Sequence, residues 1–208
     1  MIDVHAPEHK IHGVRDFFLH LFTITVGLLI ALGLEAGVEA VHHRHQREQA
    51  ETMIRQEIKD NRADVVKMQS TLNGEMGDLV NVLAYIDARL AHRPADASKL
   101  RLQYSEGPLK DAAWRTAAAT GVVAYMDYES AETYAECYKQ QEEFERLENR
   151  AIEAYLDMES FSATKPPAQL SDEELKAAQP VVRKTLADLG GLRDVARGTV
   201  ETYDAALK

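Results

Sequence analysis

Cysteine, proline, glycine and positive charge are all scarce in this chain, and each scarcity closes off an architecture or a partner. Cys137 is the single cysteine in 208 residues, so there is neither an intramolecular disulfide nor a cysteine-based zinc cage. Six prolines and eleven glycines are few for a sheet protein with many turns. Twenty-four Lys and Arg stand against 34 Asp and Glu, a net charge of −10. That balance leaves too little positive charge to displace counterions from a nucleic acid, so no nucleic-acid partner is expected. Catalytic signatures are missing as well: no GxSxG, no HExxH and no glycine-rich phosphate loop. The expectation is a protein without enzymatic activity, with no catalytic residues and no cofactor.

What remains is rich in Ala, Glu, Leu, Lys, Arg and Gln, the residues that favour helices. The length allows one domain, or one domain and an anchor. An anchor is legible near the start. Between Asp16 and Glu35 lie 18 residues, Phe17 to Leu34, without a single Asp, Glu, Lys or Arg. As a helix they cover roughly 27 Å, close to the hydrocarbon thickness of a bilayer. Three of the five phenylalanines, at 17, 18 and 22, cluster at one end, as an interfacial belt would. A cleaved signal peptide would have a shorter apolar core and a small-x-small cleavage site. Here the exit reads Leu34-Glu35-Ala36-Gly37-Val38-Glu39. A buried helix of a soluble domain would carry a polar face within five turns. The reading is an uncleaved single span.

Lys10 and Arg15 precede the span, and Arg44 and Arg47 follow it, so the positive-inside count is a near tie. A cytoplasmic N-terminus with an external, periplasmic or extracellular C-terminal domain is the favoured orientation. Gly27 and Ala31 are four apart, and so are Gly33 and Gly37, which form a GxxxG. Either stripe lets a second helix approach closely, although membrane helices are rich in glycine in any case.

Helical patterning continues beyond the span, with no proline from Glu39 to Arg93. Apolar residues recur at Ile54, Ile58, Val65, Met68, Leu72, Met76, Leu79, Leu83, Ile86 and Leu90, with Asn61 filling one gap. This is a heptad seam with a four-residue stutter from Leu72 to Met76, where Asn73-Gly74 permits a bend or short turn. A polar linker runs from Arg93 to Gly107-Pro108. Lys110 to Thr120 reads as a short helix ended by Gly121. Asp127 can cap a long helix to about Ser160, with Tyr134, Tyr138, Leu147, Ile152, Tyr155 and Met158 towards a core. Ser171 and Glu174 form a capping box for the last helical region. Pro180 is expected to start or kink its second part, and Gly190-Gly191 to weaken its continuity. Leu186, Leu189, Val195, Val200, Tyr203 and Leu207 line one side. No run alternates with period two, so no sheet is expected. The organisation is an N-terminal tail over 1–16, a transmembrane helix over 17–34, a long helix over 35–92 and further helices over 109–208. The fold class is all-α: a single transmembrane helix continuing into a long helix, followed by an antiparallel helical bundle.

The stretch from Thr23 to Glu35, then Val38-Glu39 and His42-His43-Arg44-His45, resembles a set of uncharacterised bacterial single-span inner-membrane proteins. Ala113-Trp114-Arg115-Thr116-Ala117, Thr120-Gly121 and Tyr125-Met126 resemble the extramembrane part of the same proteins. Together these stretches cover about a quarter of the chain. The resemblance implies a bacterial inner-membrane location and a helical extramembrane domain, and carries no chemistry with it.

Seven of the eight histidines fall in the first 45 residues. His42 and His45 share a helical face, with Glu39 three residues before His42, so these three are candidate metal ligands. His5, His9 and His12 have similar spacing, interrupted by Pro7. The simpler account is imidazoles at a headgroup boundary. His20 and Glu35, the ionisable residues at the ends of the span, are near enough to an interface to reach water. Trp114, Tyr125, Tyr128 and Tyr134 surround Gly121 and define a candidate pocket, with helix packing as the simpler alternative. Cys137, at an interior helical position, reads as a core residue and not a nucleophile. Glu142, Glu143, Glu145 and Glu148 read as a solvated acidic face. The expected function is membrane anchorage coupled to binding another protein or to self-association. The alternatives are an external helical ligand-sensing module and a metal-binding protein using the N-terminal histidines.

Overall fold

A computed structural model describes residues 13–102, 104, 107–163 and 165–208. His5, His9 and His12 lie outside the described residues. Four helices carry the chain: α1 (Val14–Leu90), α2 (Ala112–Ala119), α3 (Tyr128–Ser160) and α4 (Asp172–Ala206). Short 3-10 turns occupy Ala97–Lys99, Val122–Tyr125 and Pro167–Gln169. There is no strand among the described residues. The chain divides into two units, residues 1–48 and 49–208. The first contains the apolar stretch of α1. The second contains the rest of α1 and the other helices, and is an all-α bundle.

Helix ends in the bundle follow from local chemistry. The Asp127 carboxylate accepts the Ser130 amide at 2.9 Å and starts α3. At α4 the Ser171 hydroxyl accepts the Glu174 amide at 3.2 Å, and the Glu174 carboxylate accepts the Ser171 amide at 2.7 Å, closing the capping box. Gly121, at φ +75°, supplies the left-handed residue that ends α2. The short helix begins two residues later than the spacing implied. Pro180 neither starts nor interrupts α4, which runs through it and through Gly190-Gly191 without a break. Pro180 is exposed, so the backbone carbonyl it leaves unbonded is on the solvent side.

Side-chain pairs fix the helix directions. Tyr138 of α3 bonds Glu57 of α1, and one turn further on Gln141 bonds Asn61, so α1 and α3 run parallel. Thr202 lies against Cys137 and Thr185 bonds the Ala154 carbonyl, so α4 runs antiparallel to α3. Arg62 with Asp204 and Asp87 with Gln179 show the same antiparallel sense between α1 and α4. The parallel pair requires a return connection, and the segment between α1 and α2, described at 91–102, 104 and 107–111, supplies it. Gly107 meets Glu148 and Lys110 meets Gln141. Three extended residues span about 10 Å, the same rise as seven residues of α3.

Each long helix buries a seam with strictly alternating steps of three and four. On α1 it runs Ile54, Ile58, Asn61, Val65, Met68, Leu72, Glu75, Leu79, then half-buried Val82, then Ile86. The expected stutter is therefore absent. Glu75 holds the position assigned to Met76, Val82 the one assigned to Leu83, and α1 passes through Asn73-Gly74 unbroken. Met76 instead reaches towards Gly190, where an added Cβ would meet its Cε at 3.9 Å. On α3 the seam includes Gln141, Phe144 and Glu148, with Leu147 and Ile152 half-buried beside it. Glu148 is thus a core residue and not part of a solvated face. On α4, Thr185 and Thr199 hold seam positions, and Leu186, Val195, Val200 and Leu207 flank the seam half-buried.

Asn61, Gln141, Glu148 and the neighbouring Glu57 have a common cause. Backbone of the return segment is inserted between α1 and α3, and buried amides and carbonyls need partners. Asn61 accepts the Lys110 amide at 2.9 Å and donates to its carbonyl at 2.7 Å. Gln141 donates to the same carbonyl at 3.1 Å and accepts the Tyr203 hydroxyl at 2.8 Å. Glu57 accepts the Ala113 amide through both oxygens, at 3.2 and 3.0 Å. At the other end of the bundle, the Arg89 guanidinium donates to the carbonyls of Ala168 and Leu170 and ties down the α3–α4 connection.

Candidate functional site: the exposed apolar face of α1

Phe17 to Leu34 form part of one uninterrupted helix, and all of them but the half-buried Val26 are exposed. Phe22 is 68 % exposed, Ile24 69 % and Leu34 69 %, values normal for solvated polar side chains and costly for apolar ones in water. No residue of the 18-residue apolar window is buried, and α1 is the one described helix long and apolar enough to cross a membrane. Polar groups within it are already satisfied. The Thr23 hydroxyl donates to the Leu19 carbonyl at 2.9 Å and Thr25 to Leu21 at 2.8 Å. Such back-bonding suits a medium that offers no water.

The small residues lie open on this helix. A Cβ built at Gly27, Gly33 or Gly37 would find nothing within 4 Å, and Ala31 is exposed. His20 and Glu35 are exposed too. Beyond the span, Glu39 approaches His43 at 3.8 Å, one turn away, and not His42. His42 and His45 are exposed, and no group of three His, Cys, Asp or Glu able to hold a metal ion occurs among the described residues. The expected ligand set His42, His45 and Glu39 is therefore not assembled within one chain: i,i+4 geometry gives the carboxylate to the intervening imidazole.

The aromatic pocket expected around Gly121 is not assembled either. Trp114 stacks on Tyr138, with ring centroids 5.5 Å apart and planes at 9°. Tyr134 is buried, whereas Tyr125 is 43 % and Tyr128 81 % exposed. Offset stacking on a buried tyrosine is a better use of the indole face than an open wall. The Tyr138 hydroxyl donates to Glu57 at 2.6 Å, and burial together with that carboxylate raises its pKa. Cys137 is fully buried, and burial pushes its thiol up to about 12. It is unfit as a nucleophile at neutral pH. Of the polar seam residues, Asn61 was legible in the sequence, while Glu75, Gln141, Glu148, Thr185 and Thr199 were not, because the core was otherwise read from apolar residues alone.

No protein-family model matches the chain, and neither a curated protein nor a solved structure does.

Proposed function

We propose that this chain is a single-pass membrane protein that holds a helical bundle at a bacterial inner membrane, with the bundle external, and that it works through protein–protein contact and not catalysis. The observation that carries the reading is the stretch from Phe17 to Leu34, none of which is buried among the described residues. In water such a surface drives aggregation; in lipid it is the favoured state. Satisfied threonine hydroxyls on the same stretch fit that environment. The partner that fits Gly27, Ala31, Gly33 and Gly37 is a second helix in the bilayer, most simply another copy of this chain.

Fractionation of cells expressing the full chain tests the anchor. The protein is expected in the membrane pellet after alkaline carbonate washing and in solution only with detergent; detergent-free recovery of the intact chain in the soluble fraction would overturn the reading. Crosslinking in native membranes tests the contact. A dimer or higher oligomer weakened by Gly33→Leu with Gly37→Leu is expected, and monomer alone, with no captured partner, refutes the self-association.

A further inference from the structure

A cleft of about 720 Å³ lies in the bundle between α1 and α3, closed on a third side by the return segment. Gly74, Glu75 and Asp78 of α1, Tyr104 of the return segment, and Tyr155 and Glu159 of α3 form its chemically distinctive walls. Its size is that of a small-molecule site. Among the described residues the lining contains three carboxylates and no lysine, arginine or histidine. These carboxylates do not converge as a metal-binding group, so they suit positive charges spread along a chain better than one ion. Glu75 and Asp78 stand one turn apart on α1, separated by a rise of about 4.5 Å, and Glu159 belongs to the opposite wall.

Two further features point to a ligand. The rings of Tyr104 and Tyr155 lie 5.1 Å apart at 40°, an aromatic surface next to the acids. Tyr155 is only 4 % exposed, yet its hydroxyl has no hydrogen-bond partner, which is unusual for a buried tyrosine. The charges that help raise the pKa of that hydroxyl are Glu75, Asp78 and Glu159, after burial itself, so it faces the acidic side of the cleft.

We propose that the cleft binds an extended organic cation, a linear di- or polyamine. Its ammonium groups pair with Glu75, Asp78 and Glu159, one of them donating to the Tyr155 hydroxyl oxygen. Its methylene chain lies across the tyrosine rings, where cation–π attraction adds to apolar contact. Site and span are independent, so this inference does not rest on the membrane reading.

Calorimetric titration of the full chain in neutral detergent with spermidine, at about 0.15 M salt to screen bulk attraction, tests it. Saturable one-to-one binding is expected. Asp78→Asn with Glu159→Gln removes charge from half-buried and exposed positions, and Gly74→Leu fills the cleft from a site where an added Cβ meets nothing. Each is expected to weaken binding by about tenfold or more, while Asp64→Asn, an exposed α1 carboxylate outside the cleft, leaves it unchanged. No saturable binding, equal loss with Asp64→Asn, or displacement by equimolar magnesium would each overturn the proposal. Should Gly74→Leu fail to fold, the charge-removing pair decides.

Discussion

Residues 17–34 and 54–86 belong to the same helix and use apolar side chains in opposite ways. In the first stretch they surround the helix, none is buried and Val26 alone is half-buried; in the second those on the 3-4 stripe are buried or half-buried, while Val66 and Val80, off the stripe, are exposed. Backbone conformation and propensity are shared, so neither explains the contrast. The angular distribution of apolar residues does. An all-round apolar surface cannot be covered by two neighbouring helices, whereas a 3-4 stripe can. The first stretch is therefore long and apolar enough to cross a membrane, and the second packs against α3 and α4.

The sharpest way to break this contrast is to charge the first stretch. Leu28→Asp with Ile30→Lys places two ionisable groups at its centre, each opposed by about 2.5–3.5 kcal/mol in a membrane helix. Loss from the carbonate-washed pellet is expected, with the bundle's helical signal and melting unchanged. The converse experiment empties the second stretch's partner. Phe144 is fully buried, and Phe144→Ala is expected to cost about 3–5 kcal/mol. That is a large part of the 5–15 kcal/mol that holds a domain together. Membrane retention is expected to survive. Cys137 provides the readout: with its thiol buried and pushed up to about 12, it reacts with a maleimide only when the bundle opens. Faster labelling in Phe144→Ala than in the unsubstituted chain is the expected outcome; equal rates would separate the core from bundle stability.

A smaller effect tests why the stripe contains polar residues. Asn61→Ala leaves the part-buried Lys110 amide without its side-chain acceptor and takes one donor from the Lys110 carbonyl. A loss of about 1–3 kcal/mol is expected by denaturant unfolding. The span has no equivalent residue, so membrane retention should again be indifferent. If Asn61→Ala is neutral, the return segment does not need the bond, and the polar seam has another origin.

These polar positions also mark where the fold was legible and where it was not. The apolar helical stretch, the caps at Asp127 and Ser171, the left-handed Gly121 and the all-α class follow from local chemistry, which the sequence displays directly. The seam register did not follow at Leu72 to Leu79, because an apolar-only count skips Glu75 and invents a stutter. Glu148 was assigned to solvent for the same reason. Glu148 is tolerated in the core because a distant segment brings the Gly107 amide to it, and that pairing depends on tertiary structure. The parallel arrangement of α1 and α3 was equally hidden, since it depends on what the irregular connection does. The aromatic pocket failed differently: Trp114 and Tyr125 are close in sequence, but the indole's better partner is Tyr138, on another helix.

The mildest test concerns charge at the surface of the bundle, where solvent screens what burial would magnify. Lys165 and the two bonds to Ser171 hold the Glu174 carboxyl at about 2, below its ordinary 4.5. A carboxyl whose pKa is lowered by folding stabilises the folded state above its unfolded value, and the benefit disappears as the pH falls through the folded value. The stabilisation is thus fully present above about pH 4.5 and lost progressively down to about pH 2. Glu174→Gln keeps the side-chain acceptor for the Ser171 amide and discards the charge. A melting temperature slightly below that of the parent is expected at about pH 7, with the difference closing through the same acid window. Added salt should shrink the difference at neutral pH, because the half-exposed carboxylate and Lys165 meet at the surface. A difference that persists at pH 2 would mean that the glutamine packs poorly at the cap, and that the contribution was one of shape, not charge.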